Sequence, residues 1–164
     1  MVAILCASCS PTFNWREFVP EGSGLGMAFP CKPDRLIRTL PIAGNASRMT
    51  LLSCSVQGTV FAVSYADLAD PAQLDAALTQ FRAAAVNNVQ GRDVRMHSMK
   101  IAGLQTPDSV IRLEMSGHRV DGTGIRQYVA AFGKGARAYQ ATVIGKDPTQ
   151  ESVDTFFSGL RFPS

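Results

Sequence analysis

The chain has 164 residues, 46% hydrophobic and 18% charged, with 16 Lys and Arg against 13 Asp and Glu for a net charge of +3. At 17.6 kDa it suits one domain that buries roughly 70% of its unfolded surface, and its composition excludes a disordered chain. The basic residues are scattered from Arg16 to Arg161 without a dense run, which excludes a nucleic-acid groove, and no stretch of roughly 18 apolar residues offers a spanning helix.

The opening stretch, MVAILCASCSPTFNW, resembles the tail of a bacterial lipoprotein signal. Leu5 stands in the apolar segment, Ala7 and Ser8 are the small pair, and Cys9 is the thiol that the resemblance implies is lipidated. Cys6 stands where such signals usually carry Leu, no Lys or Arg precedes the apolar segment, and that segment is shorter than the roughly 7–15 residues of a complete secretory signal; the expectation is a translation start further upstream or a trimmed chain. The other reading of this stretch is an ordinary cytosolic N-terminus that happens to hold cysteines. The lipoprotein reading divides the chain into a signal remnant (1–8), a tether (9–23) and a single domain (24–164). It implies a lipid anchor on the periplasmic side of the bacterial outer membrane.

Leu25 to Phe29 reads as a short strand stopped by Pro30 and Pro33. Gly22, Gly24 and Gly26 precede this strand instead of leading from a strand into a helix, so they do not form a phosphate loop. Arg35 to Ile42 reads as a second strand with Leu36, Leu40 and Ile42 on one face. Arg48 to Val56 and Thr59 to Ala66 meet at Gln57–Gly58, a hairpin signal, with Phe61, Val63 and Tyr65 alternating inward.

The segment from Asp70 to Gly91 carries Leu74, Leu78, Phe81, Ala85 and Val89 at helical spacing. Asp70 is a natural N-cap, Pro71 suits the first helical position, Gln73 sits at the capping-box position, and Gly91 is the expected left-handed terminator. Such a helix, Pro71–Gln90, spans about 30 Å. Beyond it, Asp93 to Ile101 and Ser109 to Ser116 read as strands about a Gly103–Pro107 turn, and Ile125 to Phe132 and Ala136 to Ile144 as a hairpin. A second Asp-Pro-x-Gln start at Asp147 opens a terminal helix with Val153, Phe156, Phe157 and Leu160 on its apolar side.

The expected fold is therefore α+β: a mainly antiparallel twisted sheet with a long helix and a short C-terminal helix packed on it. The order of elements, the Phe29-Pro30 and Lys32-Pro33 landmarks and the aromatic terminal helix resemble the PsbP-like α/β/α sandwich over residues 24–163. Bacterial proteins of that kind are often envelope lipoproteins without an assigned activity, and the resemblance supplies no catalytic or cofactor-binding residue.

The two histidines, His97 and His118, lack close-spaced partners, so with Cys31 and Cys54 they fall short of a zinc pattern. His118 lies near Asp121 and is the best placed general base for a hydrolase, but no G-x-S-x-G elbow accompanies it. Trp15 either docks on the domain or belongs to a partner-binding segment. In an exported domain, Cys31 and Cys54 suit a disulfide; as small hydrophobes they equally suit a core. The functional expectation is a non-catalytic envelope lipoprotein, an interaction or small-ligand-binding module without cofactor, metal or nucleic acid and with an envelope protein as its partner. The competing expectation is a hydrolase using His118.

Overall fold

A computed structural model describes residues 12–104 and 110–164. The chain order is β1 (Arg16–Phe18), β2 (Met27–Phe29), β3 (Asp34–Ile42), β4 (Asn45–Val56), β5 (Thr59–Asp67), α1 (Leu74–Asn88), β6 (Arg92–Met99), β7 (Val110–His118), β8 (Gly124–Lys134), β9 (Arg137–Gly145) and α2 (Gln150–Ser158). Seven strands form an antiparallel sheet in the order β3-β4-β5-β9-β8-β7-β6, and β1 pairs with β2 as a separate ribbon.

This architecture corrects the expected long-helix α+β sandwich. The described residues are mostly sheet, 51% strand against 18% helix. The helical signals from Asp70 to Gly91 are shared between a 3₁₀ turn, Pro71–Gln73, and a shorter α1 of 15 residues. Asp70 caps only the turn, its Oδ1 accepting from the Ala72 N–H at 2.9 Å, and the Gln73 side chain caps nothing. At the far end Gln90 takes the left-handed conformation (φ 50°) expected of Gly91, and the Gly91 N–H donates to the Val86 carbonyl at 2.8 Å. Gly91 is needed for space instead: a Cβ there would stand 2.7 Å from Met115 Sδ. The terminal helix also starts later than expected, with Thr149 and not Asp147 accepting from the Ser152 N–H.

Period-2 alternation decides what each face of the sheet buries. On one face α1 sets Ala77 and Phe81 against Ala66, Ala131 and Ala138, and Ala85 and Val89 against Leu113, Met115 and Val129. The small residues let the helix sit close. Ala77 replaces its neighbours Leu74 and Leu78 at the centre of the contact, and these two are only partly buried. Gln80 ties α1 to the β3–β4 turn, accepting from the Ala43 N–H at 2.9 Å and donating to the Pro41 carbonyl at 2.8 Å.

The opposite face is aromatic. Phe61, Tyr128, Phe132 and Tyr139 pack beneath α2 and the β1–β2 ribbon, with Phe29, Phe156 and Phe157 fully or nearly fully buried. The described part of the segment expected as a tether contributes to this layer. Phe18 lies 5.9 Å from Phe29, and Trp15 meets Phe61 edge-on at 5.7 Å, so the packed body begins upstream of residue 24.

Strand β3 closes one edge of the sheet, and α1 does not reach across it. Leu36 and Leu40, which share a face with the buried Ile42, are 44% and 39% exposed, and Ile37 on the other face is 42% exposed.

Candidate functional site

The end of the sheet formed by β3, β4 and β5 carries a groove of about 210 Å³. Register builds it: Ile37 lies opposite Thr50, Thr50 opposite Tyr65, and Tyr65 opposite Tyr139. Arg35 and Arg48 stand on either side of that row, on the same face, and both are exposed. The loop before β2 supplies a further wall through Gly22.

Two residues of β9 hold that loop in place. Arg137 grips Asp67 across the strand pair, Nε to Oδ1 at 2.6 Å and Nη2 to Oδ2 at 3.0 Å, and donates from Nη1 to the Gly22 carbonyl at 2.6 Å. The Tyr139 hydroxyl donates to the Ser23 carbonyl at 2.8 Å. Hydrogen bonding to Asp67 raises the Arg137 pKa further above its ordinary value, and burial pushes the Tyr139 phenol up. Tyr65 is treated differently. It is 6% exposed, its ring lies under the Arg137 guanidinium at 5.6 Å, and its hydroxyl has no hydrogen-bond partner among the described residues.

The residues singled out from sequence fall elsewhere. Cys9 and Cys6 lie outside the described residues, as does most of the expected Gly103–Pro107 turn. Cys31 and Cys54 are joined by a disulfide with Cα atoms 6.0 Å apart, which links the segment after β2 to β4 beneath the aromatic layer. With both sulfurs in that bond, neither is a thiolate for a metal. Among the described residues no group of three His, Cys, Asp or Glu side chains gathers.

His118 ends β7 on the surface, its N–H donating to the Val89 carbonyl at 2.9 Å. Asp121 serves the following turn: its Oδ1 accepts from the Thr123 N–H at 2.9 Å, which holds the carboxyl below its ordinary pKa. Among the described residues no hydrogen bond joins the His118 ring to a carboxylate, so the expected base has no orienting partner there.

His97 faces Arg112 in the β6–β7 register, six residues from His118 along β7, or about 20 Å at 3.3 Å per residue. Its Nε2 lies 3.2 Å from Glu114, which also pairs with Arg126. Glu114 therefore balances a basic patch within the fold.

Arg35 and Arg48 escaped the sequence reading because each is an ordinary charged residue in an ordinary strand. Their alternation with Ile37 and with Thr50 was visible; their convergence required the β3–β4 register. Trp15, open to two readings from sequence, docks on the aromatic layer. No protein-family model matches the chain, and no curated protein matches it.

Proposed function

We propose that this protein is an exported, non-catalytic binding module, held by lipid on Cys9 at the periplasmic side of the outer membrane, which takes a small ligand or envelope partner at the β3–β5 end of its sheet. The observation that carries the reading is the Cys31–Cys54 disulfide. Disulfides persist in oxidising compartments and are rare where glutathione and thioredoxin keep thiols reduced. An exported domain behind a Cys that follows a small Ala-Ser pair is what a lipoprotein requires. The groove supplies a concave surface of mixed apolar and polar lining, the usual chemistry of a binding site.

The test is expression from the native locus followed by membrane fractionation and mass spectrometry of the peptide that contains Cys9. The expected result is a diacylglyceryl adduct on Cys9, membrane recovery that Cys9→Ala abolishes, and no free thiol at Cys31 or Cys54. An unmodified Cys9 in a cytosolic protein whose other two cysteines alkylate freely would overturn the reading.

A further inference from the structure

The groove lined by β3, β4 and β5 presents two cations that form no ion pair among the described residues. Arg35 and Arg48 both line it, and no carboxylate among the described residues lies within ion-pair distance of either. The acidic wall residue, Asp67, has both oxygens engaged by Arg137. Toward the other edge of the sheet His97 and Arg126 share Glu114. Tyr65, on the neighbouring β5, lines the same groove; it is more than nine-tenths buried, and its hydroxyl has no partner among the described residues. Buried hydroxyls in folded proteins are nearly always hydrogen-bonded, so an orphan one on a residue that shares its groove with Arg35 and Arg48 points to an acceptor from outside the chain.

We propose that this groove binds a small organic oxyanion, a carboxylate or phosphate monoester, with Arg35 and Arg48 donating to its oxygens. Tyr65 Oη supplies a further donor, and the half-exposed Ile37 receives the apolar part of the molecule. The proposal rests on the binding-module reading and names its ligand chemistry. Guanidinium groups suit the assignment because their forked N–H donors match the spacing of carboxylate and phosphate oxygens. The volume of about 210 Å³ restricts the ligand, being smaller than the roughly 300–1,000 Å³ of sites for drug-sized molecules.

Amide chemical-shift titration of the full chain with phenyl phosphate, benzoate, benzyl alcohol and inorganic phosphate tests this. The expected result is saturable shifts from both aromatic anions around residues 35–37, 48–50 and 65–67, with affinity at least about tenfold above that of benzyl alcohol. Inorganic phosphate should bind more weakly than phenyl phosphate. Arg35→Gln combined with Arg48→Gln, both surface changes, should lower anion affinity about tenfold or more while amide dispersion is kept. Tyr65→Phe should weaken it by roughly threefold with the fold intact, the loss of one hydrogen bond.

Failure of both anions to saturate these resonances, or an affinity unchanged in the double arginine variant, would overturn the proposal. Equal binding of benzyl alcohol would overturn the charge assignment and leave a small-ligand module standing. Inorganic phosphate binding as tightly as phenyl phosphate would overturn the role given to Ile37. An unlipidated Cys9 bears on the binding-module reading by a separate measurement.

Discussion

Arg137 and Asp67 face each other across the β5–β9 pair and form a two-point ion pair, with the remaining guanidinium nitrogen reaching the Gly22 carbonyl. The pair joins the sheet to the loop that walls the candidate groove. Because the Asp67 side chain is 72% exposed, the ion pair itself contributes only about 0–1 kcal/mol. Its larger effect is positional. Arg137→Ala is expected to lower global stability by about 1 kcal/mol and to speed hydrogen exchange at Ser23 and Leu25 far more than in the core of β8. Unchanged exchange at those two amides would show that the loop is held by other contacts.

The Cys31–Cys54 bond closes a loop of 23 residues. In the chain-entropy account that constraint stabilises the fold by about 3 kcal/mol. Cys31→Ala combined with Cys54→Ala should lower the denaturant midpoint accordingly, and reductant should destabilise the parent while leaving the variant unaffected. A parent insensitive to reductant at equilibrium would contradict the bond.

Gly117 and Gly124 sit on adjacent strands and should respond in opposite ways to substitution. A Cβ at Gly117 would stand 2.9 Å from the Val89 Cβ and Cγ2 and would crowd the Val89 carbonyl, whereas a Cβ at Gly124 meets nothing within 4 Å. Gly117→Ala should destabilise by about 1–3 kcal/mol by forcing α1 off β7. Gly124→Ala should be neutral or slightly stabilising, because it removes freedom from the unfolded chain. Thermal unfolding of the two variants makes the comparison, and equal melting temperatures would rule out close packing of the helix end.

Phe156 is fully buried and touches Phe29, Phe61 and Phe157 at centroid distances of 5.5 Å. Phe156→Ala should cost about 3–5 kcal/mol, close to the whole stability of a small domain. Leu36→Ala, on the exposed β3 edge, should change stability by less than about 0.5 kcal/mol. Urea unfolding curves distinguish the two, and similar losses would mean that β3 is covered in solution.

Burial raises the folded-state pKa of Tyr139 above that of an unfolded tyrosine, which is about 10. The folded state thus holds this proton more tightly, so the contribution is fully present below about pH 10 and is lost as pH rises through the folded pKa. Melting temperature should fall with alkalinity in that range. Tyr139→Phe should start lower by about 1–2 kcal/mol, having lost the bond to the Ser23 carbonyl, and should fall less steeply. Parallel alkaline slopes for the two proteins would show that Tyr139 is not the group responsible.

Local physical chemistry was legible in the residues themselves. The alternation of Phe61, Val63 and Tyr65, the turn at Gln57–Gly58 and the helical recurrence of Phe81, Ala85 and Val89 each report an element within a few residues of its true bounds. These signals are short-range, and short-range sterics and periodicity produce the corresponding structures wherever they occur. Competition between neighbours was not legible. Asp70 caps a 3₁₀ turn, Thr149 displaces Asp147, and Gln90 takes the left-handed conformation expected of Gly91, whose lack of a Cβ instead admits Met115.

The residue order by itself specifies a chain of strands with two amphipathic helical segments. The strand order, the dominance of the sheet over the helices and the meeting of Cys31 with Cys54 arise from packing across the whole fold. The same is true of the groove. Arg35, Arg48 and Tyr65 lie on three different strands, and strand register, set by packing across the whole sheet, is what brings them onto one wall. Contacts between residues distant in sequence are won by global burial, and no local pattern encodes which strand will lie beside which.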